Sequence, residues 1–466
     1  MPTDLDDIFG SLGRQADGIP LGSAGQARAR GHRRNRNGAL VAAAAAVCLV
    51  LAGVGVTIRP DHRDDHPVTP APSAGPLPLV GSPIEFGRTV PESGPAVAAG
   101  RVYTSWPAAD GSVTAVGADL HTGRVDWRVT GMRSWDAPAV SHGVRAVEQG
   151  VMVAVDDQLY VYDPAGQDPN DWVMTVGDLD EVVPLEKALV RRWAVNGQVD
   201  AHDWRTGRKL WTLQPSADPA VRVLGVRTPG QDPADESFAD DRVLVVTKTG
   251  KVQVRDAGSG DLLRTITPKS PAQAGSMFVG YDGWLYEGGP SCCDTSAYRV
   301  MAIDLGTGES SVIVTEGVGH ALGGLDVCGP GRVCVLDQLD NALTSVSAID
   351  VAKRQKVWTV IGPVGGGSIS SAGETMLIGG GQTTVLLGAD GESLFQSNAT
   401  FVDWLDRERL LVMPISGAGT VEMIDIATRK LVPLGTVPQL SDMCVHTADR
   451  LACPTGNDLR IYSLSG

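Results

Sequence analysis

The sequence predicts an all-β fold, a propeller of about eight blades with nine as the alternative, preceded by a single transmembrane helix. Three observations lead to this prediction. A short motif that ends in Asp and a Gly-containing turn returns along the chain, and its copies lie roughly 35 to 53 residues apart. The apolar residues before each Asp alternate as they do in a half-buried strand. Such spacing is typical of four-stranded propeller blades of about 40 to 50 residues.

The repeated motif is clearest in two places. Ala-Asp-Leu-His-Thr-Gly-Arg-Val-Asp-Trp ends at Trp127, and His-Asp-Trp-Arg-Thr-Gly-Arg-Lys-Leu-Trp ends at Trp211. The Asp is suited to accept hydrogen bonds from backbone N–H groups of the turn, and the Gly supplies a positive φ without steric cost. A second strand follows, so each copy is predicted to be a β-hairpin. The predicted turn residues are Asp119, Gly123, Asp203, Gly207, Asp256, Asp304, Gly308, Asp350 and Asp425.

The remaining copies set the blade count and the closure of the ring. Degenerate copies occur at Asp163 and Asp390, and residues 460–466 resemble a last copy that is cut off before its turn ends. Eight blades are preferred over nine because the Asp390 copy is short. The segment 84–90 is the expected mate of the last strand, since joining the first and last blades leaves no sheet edge unpaired.

Tryptophans recur at definite positions in this pattern. Trp127, Trp211 and Trp358 stand on the strand after the turn, where they are suited to packing between sheets. Five further tryptophans are assigned to blade packing, with exposure on a loop face as the alternative. They are Trp135, Trp172, Trp193, Trp284 and Trp404.

The pattern apolar-x-Ala-Ile/Leu-Asp-x-x-Thr-Gly-x-x-x-Trp resembles the repeat of the pyrroloquinoline-quinone-like (quinoprotein-like) β-propellers, over roughly residues 80–466. This group includes quinone-dependent alcohol dehydrogenases and a non-catalytic scaffold lipoprotein of the outer-membrane assembly machine. The resemblance implies the fold, and it leaves the function open because the motif is a structural hairpin. We place the chain in a non-catalytic, membrane-anchored branch.

The first part of the chain is predicted to lie outside the propeller. Residues 1–38 form a cytosolic tail that is largely disordered. Residues 39–58 carry no charge, and at about 1.5 Å per residue they reach across a hydrocarbon layer of about 30 Å. We interpret them as a signal-anchor helix, with a cleaved signal peptide as the alternative. The arginines before them predict a cytosolic tail and an external C-terminal domain.

Residues 59–78 are predicted to be a Pro-rich, semi-rigid linker, and residues 79–466 the extracytoplasmic propeller. The net charge of −15 argues against nucleic acid as the main ligand. A composition rich in Ala, Gly, Arg and Asp and poor in Lys is typical of a high-GC bacterium. The predicted location is therefore the cell envelope.

Two cysteine pairs fit this location. Cys328 and Cys334 flank Gly-Pro-Gly-Arg, the sequence of a tight hairpin, and Cys444 and Cys453 flank a second strand–turn–strand segment. Each pair would be opposed across a two-stranded ladder, so we predict two structural disulfides. Such bonds require an oxidising compartment.

Cys292 and Cys293 are adjacent, and a bond between them would close a small, strained ring. In quinone-dependent alcohol dehydrogenases such a bond lies against the cofactor, so the resemblance makes this pair a candidate ligand contact. Those enzymes also need a Ca²⁺ site and a catalytic Asp, and we find no matching residues here. We therefore predict no catalytic residue, no metal and no cofactor, with pyrroloquinoline quinone and calcium as the alternative. The pair is interpreted chiefly as a loop turn.

The predicted function is a membrane-anchored scaffold with a monomeric ectodomain, in which one propeller face engages a protein or cell-wall ligand. Two other hypotheses remain open. One is a quinone-dependent oxidoreductase. The other is a sensor that couples an external ligand through the membrane helix to residues 5–12, where four apolar side chains share one helical face. These are Leu5, Ile8, Phe9 and Leu12.

Overall fold

Four-stranded antiparallel sheets repeat along the chain in the computed structural model. The structure describes residues 75–86, 94–133, 142–164, 172–231, 238, 240–270, 275–290, 297–339, 344–362, 368–379, 383–398, 400–414, 416–440 and 443–465. These residues all fall in the unit that spans Pro72–Gly466.

The first four blades follow the chain, and their strands are given from the axis outward. Blade 1 contains β2 (Ala96–Ala98), β3 (Arg101–Pro107), β4 (Val113–Asp119) and β5 (Val125–Met132). Blade 2 contains β6 (His142–Val147), β7 (Gly150–Val155), β8 (Gln158–Tyr162) and β9 (Trp172–Thr175). Blade 3 contains β10 (Glu181–Pro184), β11 (Leu189–Arg192), β12 (Val199–His202) and β13 (Lys209–Leu213). Blade 4 contains β14 (Ala220–Gly225), β15 (Arg242–Thr247), β16 (Val252–Asp256) and β17 (Leu262–Ile266).

The next blades repeat this order. Blade 5 contains β18 (Met277–Tyr281), β19 (Trp284–Gly289), β20 (Tyr298–Asp304) and β21 (Ser310–Glu316). Blade 6 contains β22 (His320–Val327), β23 (Arg332–Leu339), β24 (Thr344–Asp350) and β25 (Gln355–Gly362). Blade 7 contains β26 (Ser368–Ala372), β27 (Thr375–Gly379), β28 (Thr383–Leu387) and β29 (Ser393–Asn398). Blade 8 contains β30 (Thr400–Trp404), β31 (Arg409–Pro414), β32 (Gly417–Asp425) and β33 (Lys430–Leu440). Blade 9 contains β34 (Val445–His446), β35 (Arg450–Thr455), β36 (Asp458–Ser463) and, as its outer strand, β1 (Ile84–Glu85).

The buried middle strands explain why the blades stack. Along β23, Val333 and Val335 pack into a cluster shared with blade 5, whereas Cys334 and Leu336 pack against blade 7. Side chains alternate between the two faces of a strand, and in a propeller each face meets a neighbouring blade. Strand β24 is consequently buried from Thr344 to Ile349. The alternation of buried and half-buried residues that the sequence predicts is retained in β16 but not in β24.

The prediction of eight blades is wrong, and the alternative of nine is confirmed. The Asp390 copy is short because its turn is tight: the backbone N–H of Gly388 donates to Glu392 O at 2.9 Å. Blade 7 nevertheless keeps all four strands. The truncated copy at the C-terminus forms a ninth blade because β1 supplies its missing outer strand.

The predicted closure of the ring is confirmed. In the ladder between β1 and β36, Ile84 lies opposite Leu459 and Glu85 opposite Asp458. The contact begins earlier in the chain, since Val80 N–H donates to Ile461 O at 2.8 Å. The rest of the predicted mate, residues 87–90, lies outside the described residues.

The propeller also includes the last residues that the sequence assigned to the linker. Leu77 is 6% exposed and belongs to the apolar cluster between blades 8 and 9. Its backbone N–H donates to Thr436 O at 3.0 Å, and Thr436 N–H donates to Gly75 O at 3.0 Å. The chain therefore makes ladder-like contacts with blade 8 before it pairs in blade 9.

In the part of the chain that the structure describes, no helix is both long and apolar enough to cross a membrane. The predicted tail, residues 1–38, and the predicted membrane helix, residues 39–58, lie outside the described residues.

Candidate functional site

The turns between the third and fourth strands are built by their aspartates. Asp119 Oδ1 accepts hydrogen bonds from the backbone N–H groups of His121 at 3.0 Å and Thr122 at 2.7 Å. It also accepts one from the Thr122 hydroxyl at 2.8 Å, and this bond is the main cause that lowers the pKa of Asp119. The turns at Asp203 and Asp425 repeat the hydroxyl and backbone bonds with Thr206 and Thr428. The sequence motif is thus a local structural device.

The residue four positions after the Asp takes a left-handed backbone conformation. It is glycine at Gly123, Gly207 and Gly308, with φ of 69°, 63° and 82°. In the turns that follow Asp350 and Asp425 it is instead Arg354 and Arg429, with φ of 55° and 56°. A left-handed φ strains residues that have a Cβ atom. The turns at Arg354 and Arg429 therefore lack the glycine that this conformation favours.

Tryptophans of one blade dock on this turn of the next blade. Trp211 in β13 donates its indole N–H to the carbonyl of Ala257 at 2.8 Å. Trp358 in β25 donates to Ala389 O at 2.9 Å, and Trp172 in β9 donates to Trp204 O at 2.9 Å. The junctions between blades 2 and 3, 3 and 4, and 6 and 7 are fastened in this way. We call each of these arrangements an indole dock.

An indole dock requires glycine in the left-handed position. A Cβ atom on Gly260 would lie 2.5 Å from Trp211 Cγ, and one on Gly207 would lie 2.4 Å from Trp172 Cδ2. Gly391 faces Trp358 at 2.7 Å in the same sense. The ring lies flat against the glycine backbone, so a side chain there would displace it. Trp and Gly are thus a matched pair that spans two blades.

The junction between blades 5 and 6 lacks both members of this pair. Ser311 lies opposite Ala302 in the ladder of β20 and β21, the place that Trp211 takes opposite Ala201 in blade 3. The left-handed residue of the facing turn is Arg354. Ser311 and Arg354 line a cavity of about 640 Å³, which we call the 5–6 cleft. Its volume lies in the range of about 300 to 1,000 Å³ that small ligand sites occupy.

Aromatic and polar side chains line the 5–6 cleft. The rings of Trp284 and Tyr286 are stacked with centroids 6.4 Å apart and an angle of 14°. Burial raises the pKa of the Tyr286 hydroxyl, so this group stays neutral. The Ser310 hydroxyl accepts a hydrogen bond from the backbone N–H of Lys269 at 3.0 Å, and the turn 351–354 of blade 6 forms the opposite side.

The charges at the cleft are uncompensated by ion pairs. Lys269, Glu309 and Arg354 all line the cavity, and none of them forms a salt bridge within the described ranges. By contrast, Lys353, the neighbour of Arg354, pairs with Asp350 at 2.9 Å. Two cationic side chains and one anionic side chain therefore face the cavity.

The predicted disulfides are both present. Cys328 is bonded to Cys334 beside the junction of blades 6 and 7, and Cys444 to Cys453 beside that of blades 8 and 9. Cys292 and Cys293 lie outside the described residues. Trp404 is confirmed as a packing residue, since it is 1% exposed and donates to Ser370 Oγ at 2.9 Å.

The strands that flank the Cys292–Cys293 loop carry buried polar groups. Glu287 in β19 is 1% exposed and accepts a hydrogen bond from the Ser276 hydroxyl at 2.5 Å. One blade further, the Asp337 carboxylate contacts His320 Nδ1 at 2.6 Å, and burial raises the pKa of Asp337. These carboxylates are engaged within their own sheets, which fixes the strands.

The quinoprotein resemblance implies pyrroloquinoline quinone with a calcium ion, and the described residues do not fit that pair. Ca²⁺ requires six to eight oxygen ligands, yet no group of three or more His, Cys, Asp or Glu side chains is arranged to hold a metal in the described ranges. We therefore derive no redox step for this chain. The expectation that the chain works without a cofactor stays a prediction.

The repeated hairpin is also the feature that this chain shares with known proteins. A family model described as "Outer membrane protein assembly factor BamB" matches residues 109–317, from the middle of blade 1 to the end of blade 5. The matched region carries the repeat of the PQQ-like β-propellers. It includes the turns at Asp119, Asp203, Asp256 and Asp304. No curated protein matches the sequence.

Solved structures resemble this chain in part. BamB from Moraxella catarrhalis is 14% identical and has a TM-score of 0.41, with 70% of this chain and 99% of that one covered. The designed protein Ika8 is 15% identical, with a TM-score of 0.46 and coverage of 83% and 99%. A quinohemoprotein alcohol dehydrogenase from Pseudomonas putida HK5 is 15% identical, with a TM-score of 0.40 and coverage of 84% and 77%. At these levels the likenesses bear on neither activity nor partner.

Sequence reasoning missed the 5–6 cleft. The residues that define it include Lys269, Trp284, Ser311 and Arg354. A signal was nevertheless present in the sequence, since the strand after Asp304 has no Trp, and Arg354 stands where the docked turns have Gly. The two departures face each other across one junction, which only the blade order makes visible.

Proposed function

We propose that this chain is a membrane-anchored, extracytoplasmic scaffold that binds a partner protein in the bacterial cell envelope. The observation that carries this proposal is the 5–6 cleft. At three other junctions the fold fills the equivalent place with its own indole. Here the place is left open, and the cations at its edge form no ion pair among the described residues.

Two further lines support a scaffold. The family model describes an outer membrane protein assembly factor, a role that concerns other proteins rather than a chemical reaction. The described residues also bring no metal-binding group together. A propeller suits this role because it offers a rigid, closed surface without free sheet edges.

The envelope location rests on the sequence. Residues 39–58 are uncharged and preceded by arginines, which favours an anchor with the propeller outside. The disulfides Cys328–Cys334 and Cys444–Cys453 agree with an oxidising compartment. Protease added to intact spheroplasts should digest the propeller and spare the tail. Protection of the whole chain would contradict this orientation.

Partner capture tests the scaffold directly. The full-length chain is cross-linked in native membranes and purified through a C-terminal tag. The control is a chain that ends after residue 78 and therefore keeps only the tail, the predicted anchor and the linker. We expect at least one envelope protein to be enriched with the full chain and absent from the control. An identical set of proteins in both samples would contradict a scaffold role for the propeller.

The enzymatic alternative is tested separately. The full-length chain is incubated with pyrroloquinoline quinone and Ca²⁺, and both its melting temperature and the alcohol-dependent reduction of an electron-accepting dye are recorded. We expect neither to change. A rise in melting temperature together with dye reduction would replace the scaffold by an oxidoreductase.

A further inference from the structure

We propose that the 5–6 cleft binds a segment of the partner protein that inserts an aromatic side chain next to an acidic residue. This inference rests on the proposed scaffold function and adds the chemistry of the contact. The indole docks of the same molecule show what this position accepts.

The aromatic preference follows from the facing turn. In two of the indole docks the indole N–H donates to the carbonyl of the residue that follows the turn Asp, which is Trp204 in one and Ala257 in the other. The equivalent residue of blade 6 is Val351, which lines the cleft. No hydrogen bond to the Val351 carbonyl occurs within the described ranges. An aromatic ring that carries an N–H or O–H group would satisfy this acceptor as Trp211 satisfies Ala257.

The position of the ring differs from that in an indole dock. Arg354 has a Cβ atom where the indole docks have glycine, so a ring cannot lie flat on the backbone there. It is displaced outward, toward the stacked pair Trp284 and Tyr286. Aromatic rings pair favourably in offset or edge-to-face arrangements, and the Arg354 guanidinium is suited to a cation–π contact with the same ring.

The acidic preference follows from the charges. Lys269 and Arg354 have no ion pair in the described part of the chain, and Glu309 is the one acidic residue beside them in the lining. The whole chain carries a net charge of −15, so a local excess of positive charge stands out from its surroundings. Arg354 presents the planar fork that binds a carboxylate through two parallel hydrogen bonds. A carboxylate next to the aromatic residue would meet this fork.

A peptide panel tests both preferences. The full-length chain in mild detergent is titrated against fluorescein-labelled peptides, and anisotropy is measured. The parent peptide is Gly-Ser-Glu-Trp-Ser-Gly, with Ala in place of Trp in one control and Lys in place of Glu in another. We expect the parent to bind at least tenfold more tightly than either control. Equal affinity for all three, no binding of any, or equal binding of free N-acetyltryptophan would overturn the proposal.

Variants of the chain place the contact in the cleft. Ser311→Trp combined with Arg354→Gly, the dock variant, places an indole in the cleft opposite a glycine turn, so the protein should fill its own cleft and lose at least tenfold in peptide affinity. The matched control is Leu431→Trp, which adds an indole on an outer strand of blade 8 at a residue that is 42% exposed. It should bind the peptide as the unmodified chain does.

Lys269→Glu is a second variant, and it changes only an exposed side chain, so folding should be preserved. It should weaken the parent peptide at least fivefold and strengthen the Lys-containing control. Unchanged binding in both the dock variant and Lys269→Glu would place the peptide elsewhere. This result can be told apart from the scaffold test. If the dock variant captured its partner as well as the unmodified chain does, the cleft would be rejected as the binding site, and the scaffold function would stand.

Discussion

The same type of hairpin occurs at the junction between blades 3 and 4 and at that between blades 5 and 6. It closes the first junction and leaves the second open. At the first, Trp211 lies on Gly260 and donates to Ala257 O, so the neighbouring blades are fastened. At the second, Ser311 and Arg354 line a cavity of about 640 Å³. The fold tolerates both, because the apolar clusters nearer the axis continue through each junction. Two residues thus decide whether the outer part of a junction is packed or open to a ligand.

The largest expected effect comes from removing a docked indole. Trp211→Ala deletes a large packed ring and one hydrogen bond, and it leaves a void, so the free energy of unfolding should fall by about 3 kcal/mol. Urea unfolding followed by tryptophan fluorescence and circular dichroism measures the change. Ser311→Ala is the matched variant at the open junction and should cost less than about 0.5 kcal/mol. Similar losses for the two variants would mean that the indole dock does not fasten its junction.

A methyl group in the left-handed turn should be the next largest perturbation. Gly260→Ala adds a Cβ atom 2.5 Å from the indole of Trp211 at a φ of 75°. Backbone strain and the clash together should cost about 2 kcal/mol. Arg354→Ala, in a turn that already holds a Cβ atom, should leave the urea midpoint nearly unchanged. If both variants shifted the midpoint equally, glycine would not be specific to the docks.

The elements of both junctions could be predicted from the sequence, but the position of the open junction could not. The hairpins, both disulfides and the pairing of 84–85 with the last strand followed from period-two patterns and turn chemistry, which act over a few residues. The blade count failed at Asp390, because a turn shortened by hydrogen bonding between Gly388 and Glu392 still supports a full blade. Local spacing cannot distinguish a short blade from a missing one.

The cleft eluded prediction for a different physical reason. Trp284 was assigned to packing from the sequence, which is half correct, since it stacks on Tyr286 and also lines the cavity. Lys269 comes from the end of blade 4 and Arg354 from blade 6, on either side of blade 5. The cleft depends on the ring that brings three blades together, and no local pattern encodes that proximity.

The turn aspartates predict a pH dependence of stability. Hydrogen bonding from the Thr206 hydroxyl is the main cause that lowers the pKa of Asp203. A carboxylate whose folded pKa is lowered stabilises the fold above its unfolded pKa of about 3.9, and this contribution is lost as the pH falls toward the folded pKa. Asp203→Ala should therefore cost about 1 kcal/mol at pH 7.

Urea midpoints at neutral and acidic pH measure this effect. The gap between Asp203→Ala and the unmodified chain should narrow as the pH falls below about 4. Asp261→Ala is the control, since Asp261 is exposed and its carboxylate has no partner in the described ranges. A gap that stays constant down to acid pH would assign the loss to packing rather than to the carboxylate.

The smallest effect should be a gain in stability at the open junction. Arg354→Gly relieves the left-handed strain of a residue with a Cβ atom, while glycine raises the entropy of the unfolded chain. The net result should be a stabilisation of about 0.5 kcal/mol, visible as a higher urea midpoint. Arg429→Gly tests the same strain in blade 8, where the exposed ion pair with Glu392 adds little. Both variants should gain stability if strain is the cause.

Binding separates the two variants. Because Arg354 also faces the 5–6 cleft and Arg429 does not line it, only Arg354→Gly should gain stability and at the same time lose affinity for the acidic peptide. A gain at Arg429 with a loss of stability at Arg354 would show that Arg354 holds its junction together, and that the cleft is not simply a dock left empty.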